Sequence, residues 1–363
     1  MGIIDCDTPA LILDIEAVER NIKRMGEYFR GKKAHLRPHV KVHKSPFLAH
    51  KQIAAGAKGI TCAKISEAEV MANAGINDIL IANEIVSDRK LTKLVSLAKH
   101  CRIRVLVDDL ENARQISNIA SREGSKIGVL VELDLGVGLD GILDRCGIAP
   151  GQPAVKLAHD VAELKNIEFI GLMGYEGSLR KFSDLGSRKM AVAKALGLLV
   201  ETKDLVEDSG LAVDVVSCGG TMSYDIASEI PGVTEIEAGS YVFMDTTYRQ
   251  FGIDFDFGLT VLTGVVSRPR SEKVIVDAGL KAISVDHGLP TVKNRPELEC
   301  IALNAEHGHF RFIEHGNTLD RGDRLEILPT HVDTTVCLHN DYVVTRRGEV
   351  ERMLEIECRG KLQ

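Results

Sequence analysis

The sequence predicts an α/β chain: a (β/α)8 TIM barrel followed by a second, mostly β domain. Short β-branched runs alternate with helix-period segments from about residue 35 to 245, as in repeated βα units around a parallel sheet. Eight such runs can be counted, at His35–Val42, Gly59–Lys64, Asp78–Asn83, Arg102–Asp109, Ile127–Leu135, Ile167–Glu176, Ala212–Gly220 and Thr234–Phe243. After about residue 256 the texture changes to strands with few helical patterns. A doubly wound sheet satisfies the first pattern if the count is wrong by one or two.

Taken in order, Thr8–Leu13 is strand-like and precedes the barrel count, so it is expected to return to the second domain. The first strand ends in Arg37-Pro38-His39-Val40-Lys41-Val42-His43-Lys44. The segment Ser66–Ala74 reads as a helix opened by a hydroxyl cap at Ser66, with Glu67 and Glu69 suiting the free amides and dipole of its first turn. Strands of the second domain are expected at Leu259–Ser267, Lys273–Asp277, Leu298–Ala302, Arg324–Leu328, Asp341–Arg346 and Glu351–Glu357. The 363 residues therefore divide into a barrel over 15–255 and a β-rich domain over 256–363 joined by 1–14, with no low-complexity linker between them.

Composition narrows the function classes. Hydrophobic residues make up 44% and charged residues 27%, as in a soluble globular protein. The longest apolar runs, such as Ile127 to Val131, are far short of the roughly 20 residues a membrane helix needs. Forty-five basic against 52 acidic side chains give a net charge of -7, which argues against nucleic acid as partner. Trp is absent and aromatics are 4%, so a base-stacking platform lacks material. Met1 to Asp7 lacks a basic segment followed by an apolar one, and a cytoplasmic location is expected. The eight cysteines are scattered singly, with no disulfide framework.

In a barrel of this kind, functional residues sit at the carboxyl ends of the strands. Alternation along strand one would put Arg37, His39, Lys41 and His43 on one side, an unusual inward face. A lysine desolvated there among positive neighbours is a candidate Schiff-base nucleophile. A solvated basic edge strand explains the same cluster equally well. Ser217-Cys218-Gly219-Gly220-Thr221 and Ala238-Gly239-Ser240-Tyr241 end strands seven and eight, where glycine turns commonly cradle a phosphate. A lysine on strand one beside such a cup fits pyridoxal phosphate. In the second domain His331 and Asp333 would share a face of an extended chain, and imidazole plus carboxylate can hold one cation; a surface pair is the simpler reading of the spacing. Cys337 and His339 repeat it.

Together these motifs resemble the D-threonine aldolase and 3-hydroxy-D-aspartate aldolase family. Its members are relatives of D-serine dehydratase and share the alanine racemase-like barrel of fold type III pyridoxal phosphate enzymes. The resemblance runs end to end. It takes in Thr8 to Asp14, Arg37 to Lys44, Arg145-Cys146-Gly147, Gly174-Tyr175-Glu176-Gly177, Gly219-Gly220-Thr221, Ala238 to Asp245, Asp277 to Lys281, Ser284-Val285-Asp286, Glu306-His307-Gly308 and His331 to Asp333. It implies Lys41 as the Schiff-base lysine, rather than Lys44 or Lys64. Arg145 is implied beside the cofactor's phenolic oxygen and Tyr175 lining its site. Gly220, Thr221, Gly239, Ser240 and Tyr241 are implied around the phosphate, and His331 with Asp333 as metal ligands. Asp333 is harder than the thiolate of the dehydratase branch, which favours manganese or magnesium over zinc.

The implied reaction is cleavage of a β-hydroxy-D-amino acid to glycine and an aldehyde. A metal-dependent dehydratase giving a 2-oxo acid and ammonia is the alternative, ahead of a racemase or a non-catalytic cofactor carrier. A homodimer is implied by resemblance. Three departures stand out. Leu139 to Asp144 is about six residues longer than the family's usual turn. Lys181 occupies the place of the histidine expected as base for the substrate hydroxyl, and Ala63 replaces a polar residue near the cofactor.

Overall fold

The computed structural model describes residues 2–136, 145–177, 181–182, 184–314 and 319–363. It contains two compact units. One comprises Met1–Arg24, Val42–Ser45 and Ser240–Gly360; the other comprises Met25–Lys41, Pro46–Gly239 and Lys361–Gln363. This division differs from the expected one at 15–255 and 256–363. The start of the first long helix goes with the β-rich unit because Asn21 donates its amide to the carbonyls of Val242 and Asp256, at 3.2 and 2.8 Å.

β1 (Ala10–Asp14) and α1 (Ile15–Phe29) precede the eight parallel strands of the barrel. These are β2 (His35–Leu36), β3 (Ile60–Cys62), β4 (Asp78–Glu84), β5 (Arg102–Val107), β6 (Ile127–Leu133), β7 (Ile167–Gly174), β8 (Val215–Cys218) and β9 (Glu235–Ile236). They pair in the order β2-β9-β8-β7-β6-β5-β4-β3. His39 bridges Thr61 in parallel and closes the ring, with Val40 N–H donating to Thr61 O at 2.8 Å. The barrel and its eight strands are thus as expected, but strand one is much shorter. Pro38 has no N–H to pair, and the chain turns over Val40 to His43 instead of extending.

The helix expected at Ser66–Ala74 is present as Ile65–Asn73, with Lys64 rather than Ser66 at its N-cap. Ser66 Oγ donates to the Gln363 carbonyl at 2.7 Å, and Glu67 reaches back to accept the Ala63 N–H at 2.8 Å.

Period-two alternation layers the barrel interior. At the amino ends of the strands lies a buried ionic layer. Arg37 donates to both oxygens of Glu235 at 2.7 and 2.8 Å and to Asp78 at 2.7 Å, while Arg104 spans Glu235 and Asp78 at 3.4 Å. β5 and β9 are not neighbours, so the Arg104 to Glu235 contact crosses the ring's interior. Gly59 is required here, since a Cβ would lie 2.3 Å from Arg37 Nη1. Two residues further along comes an apolar layer of Leu80, Leu106, Leu130, Met173 and Val215. Toward the carboxyl ends of the strands lie the polar residues Glu84, Asp108, Glu132, Ser217 and Glu237, which form the rim.

The β-rich unit contains β10 (Leu259–Arg270), β11 (Lys273–Val276), β12 (Thr291–Val292), β13 (Leu298–Leu303), β14 (Gly308–Phe312), β15 (Arg324–Leu328), β16 (Asp341–Arg346) and β17 (Glu349–Glu355). β1 joins this sheet, antiparallel to β10 and parallel to β16, as the strand-like Thr8–Leu13 segment suggested. β12 and β14 were not expected. The first has two residues, and the second hides its alternation of buried Phe310 and Phe312 behind a His-Gly-His start.

Replacing Arg37 by Met leaves the buried Glu235 with only the longer Arg104 contact at 3.4 Å. The expected loss is ~3–5 kcal/mol of stability, read from the denaturant midpoint; a loss under ~1 kcal/mol would show the layer to be dispensable.

Candidate active site

The basic cluster of strand one is dispersed by the turn after Pro38. Arg37 goes into the ionic layer. His43 is buried, its ring 6.5 Å from Phe243 in the β-rich unit, and Lys44 is buried with a φ of 52°. Lys41 alone among the cluster's lysines is exposed, and its N–H donates to His39 Nδ1 at 3.4 Å. The desolvation expected of Lys41 is therefore not supplied by this chain, because a turn rather than an inward strand position carries it.

What the barrel does place by Lys41 is Glu237. This carboxyl is buried and accepts the Ser217 hydroxyl at 2.7 Å. Burial pushes its pKa up to about 7; the Ser217 hydrogen bond and the charge of Lys41 pull the other way. Beside it, β8 runs into the turn Gly219-Gly220-Thr221. Gly219 has a φ of +77°, so glycine is needed there. A second buried carboxylate organises this turn. Glu176 accepts the Gly219 N–H at 3.1 Å and the Ser223 hydroxyl, and Ser223 in turn accepts the Gly220 N–H at 3.1 Å. Burial raises the pKa of Glu176 against these bonds. A Cβ at Gly220 would come 3.4 Å from the Tyr175 ring, so the turn packs directly against that ring. Tyr175 is half-buried, and the Arg145 guanidinium stands 5.2 Å from its centroid. Lys41, Arg145, Tyr175, Gly220, Thr221 and Gly239 thus belong to the barrel unit, and an accessible amine together with a fixed glycine turn in one unit fits a phosphorylated aldehyde cofactor.

In the β-rich unit His331 and Asp333 do come together, although not along a strand. Val332–Val336 is a short helix with His331 at its N-cap. His331 Nδ1 is 2.6 Å from Asp286 Oδ2, which leaves Nε2 facing Asp333 Oδ2 at 4.0 Å. Two ligands on one ion with bonds of ~2.1 Å lie ~3 to ~4.2 Å apart, so the pair suits a cation. The ring of His287 stacks on His331 at 3.9 Å, and ligand atoms of Asp286, His287 and His331 all lie within 4.8 Å of one another. Burial opposes the charge on Asp286, but hydrogen bonds from Ser284 and His331 outweigh it and hold the carboxyl at about 2. Such a carboxylate on the far ring nitrogen orients a metal-binding histidine. Ser240 is buried, with its Oγ 3.3 Å from Asp333 Oδ1. Tyr241 is 1% exposed and packs on Phe255, so its side chain belongs to the core rather than to a ligand site. The repeated pair Cys337 and His339 does not join the cluster: Cys337 Sγ donates to the Asp333 carbonyl and His339 bonds the Ala282 carbonyl.

Lys181 is exposed, so the burial on which its role as a base rests is not provided by this chain. Ala63 offers only backbone, donating to Glu67 and accepting from Asn83. The 139–144 insertion lies outside the described residues. Sequence reasoning missed Glu237, Glu176, Asp286 and His287 as site residues. Glu176 and Asp286 lie within motifs of the resemblance, and Glu235-Ile236-Glu237 is an acidic alternation visible in strand eight.

Residues 13–247 match the family described as alanine racemase, N-terminal domain, and residues 258–345 match the putative serine dehydratase domain. Fold and site so define the class: an alanine racemase-like barrel with a serine dehydratase-type β domain. The chain is 39% identical to D-threonine aldolase of Arthrobacter sp over 98% of its length and 93% of that protein. It is 36% identical to 3-hydroxy-D-aspartate aldolase of Paracoccus denitrificans (strain Pd 1222), with the same coverage. The D-threo-3-hydroxyaspartate dehydratase of a Delftia strain is 30% identical over 92% of each chain. The solved structure of D-threonine aldolase from Filomicrobium marinum superposes with a TM-score of 0.95 at 36% identity, covering 100% of this chain and 98% of that one. The chain belongs to the D-threonine aldolase and 3-hydroxy-D-aspartate aldolase family.

The Glu237 carboxyl predicts a pH effect on the cofactor-free protein. Unfolded, it releases its proton near 4.5; folded, it keeps it up to about 7. Its contribution to stability therefore falls as pH rises through that window. Glu237→Gln removes the fall, so the variant's stability relative to the parent is expected to improve by roughly 3 kcal/mol between pH 4.5 and pH 8 in urea unfolding. A pH-independent difference would show that the carboxyl titrates normally.

Proposed function

We propose that this chain cleaves a β-hydroxy-D-amino acid to glycine and an aldehyde, with pyridoxal 5'-phosphate and a divalent cation as cofactors. The observation that carries this reading is the barrel rim. There the accessible Lys41 amine stands within charge range of the buried Glu237, near a glycine turn anchored by Glu176.

Lys41 would hold the cofactor's aldehyde, Arg145 and Tyr175 would flank its ring, and Gly220, Thr221 and Gly239 would hold its phosphate, with Ser240 and Tyr241 contributing through their backbone. His331 and Asp333 would hold the cation. When bound, the first group supplies an electron sink at Cα and the second a Lewis acid toward the hydroxyl oxygen. The chain's own part is positioning and proton handling. Asp286 keeps the Nδ1 proton of His331 and so presents Nε2 as a lone pair toward Asp333. Glu237, titrating at about 7, can give or take a proton next to the Lys41 amine near neutrality.

Asp333 beside His331 is a hard oxygen donor, which supports manganese or magnesium over zinc. A homodimer is proposed by family resemblance, and exposed Leu280, Leu338 and Met353 on the β-rich unit are apolar surface that such a contact would cover. Among the described residues no helix is long and apolar enough to cross a membrane.

The reading is tested by supplying D-threonine, D-allo-threonine and 3-hydroxy-D-aspartate with and without EDTA. Glycine with an aldehyde is expected, lost with chelator and regained with manganese. Ammonia with a 2-oxo acid in place of glycine would establish the dehydratase instead. Lys41→Ala is expected to abolish the cofactor's yellow colour together with turnover; retained colour would move the covalent bond elsewhere.

A general base is worth ~10²- to 10⁴-fold in rate. Lys181→Ala is expected to cost less than about tenfold in kcat, given the exposure of Lys181. A larger loss, with KM unchanged, would assign the hydroxyl's proton to that amine.

A further inference from the structure

Three neighbouring strands each bring an acid to the rim. Glu84 ends β4, Asp108 follows β5 and Glu132 lies near the end of β6. Cys146, one residue past Arg145, joins them. Ligand atoms of Glu84, Glu132 and Cys146 all lie within 4.8 Å of one another, and Cys146 Sγ is 3.7 Å from Glu132 Oε1. Glu132 is only 4% exposed, yet its Oε2 has no hydrogen-bond partner, and neither has Oε1 of Glu84. A buried oxygen of this kind costs on the order of 1–3 kcal/mol or more, and two facing carboxyls cannot both stay ionised without a proton or a cation between them. The Arg145 guanidinium lies over the Tyr175 ring, and its charge also reaches Glu132 and Cys146.

We propose that Glu84, Glu132 and Cys146 form a second divalent-cation site, separate from the His331 and Asp333 cluster, which takes a thiolate-binding ion of the zinc or cadmium type. Bonds of about 2.3 Å to sulfur and about 2.1 Å to oxygen at a tetrahedral angle put the two donor atoms about 3.6 Å apart, close to the separation of Cys146 Sγ and Glu132 Oε1. Without an ion, a proton shared by the two carboxyls and the Cys146 thiol donating to Glu132 would satisfy the same atoms, and the test below separates the two arrangements. Sulfur in the ligand set disfavours magnesium and calcium, whereas zinc accepts both donor types. Three protein ligands leave a fourth position to water. The ion would tie Cys146, and with it the backbone beside Arg145, to β4 and β6.

The test uses the full-length holoenzyme, stripped of metal by chelation and titrated with cadmium. A thiolate-to-cadmium charge-transfer band is expected in the ultraviolet. It should survive His331→Ala, vanish in Cys146→Ala, and need at least about tenfold more cadmium in Glu132→Gln. In the unaltered protein, alkylation of the exposed Cys146 followed by mass spectrometry should slow at least about tenfold when zinc or cadmium is added. This measurement decides the matter if a variant fails to fold. The proposal is overturned by absence of the band, by its survival in Cys146→Ala, by its loss in His331→Ala or Cys337→Ala, by unchanged affinity in Glu132→Gln, or by alkylation indifferent to the ion.

Discussion

The guanidinium of Arg37, with no exposure to solvent, is bonded to Glu235 and Asp78, and the functional end of the barrel depends on that contact. Burying one arginine would be prohibitive alone; with two carboxylates at hydrogen-bond distance the charge is matched and directional. Because Arg37 lies just past β2 while its partners begin β9 and β4, the contact draws three strands to one centre. Lys41 leaves that anchored point by a turn four residues later, so the place of Lys41 is set from below.

Above the ionic floor the interior follows a gradient. The floor is charged but paired, the middle is apolar, and the rim carries carboxyls that are buried yet incompletely matched. Glu237 has one hydroxyl donor, Glu132 an oxygen with no donor, and Glu176 is matched only because it serves the glycine turn. Groups whose ionisation is pushed off its usual range by burial gather where a ligand is to meet them. The rim therefore has the electrostatic character of a site, while the floor, with more formal charge, has that of a support.

In the β-rich unit the same economy works through a histidine. Asp286 fixes the ring of His331, and the ring's other nitrogen faces Asp333. Ser240, whose preceding residue is Gly239 of the barrel unit, lies within hydrogen-bond distance of that aspartate. Relatives that are named aldolases and a relative named a dehydratase share this fold.

Periodicity by itself determined the barrel, its eight strands and the β-rich texture after residue 256, because inward and outward positions alternate within a few residues of chain. The glycine pairs and the His331-x-Asp333 spacing were legible for the same reason. Strand one was over-extended, since nothing local told that Arg37 would turn into the floor rather than share a face with Lys41. The roles of Glu176, Glu237, Asp286 and Glu132 were decided only by the tertiary structure. Each is defined by a partner that a different element supplies, such as Ser223 for Glu176 or His331 for Asp286, 47 and 45 positions along the chain. A carboxylate's chemistry follows from what surrounds it in space, and that surrounding exists only once the strands have closed.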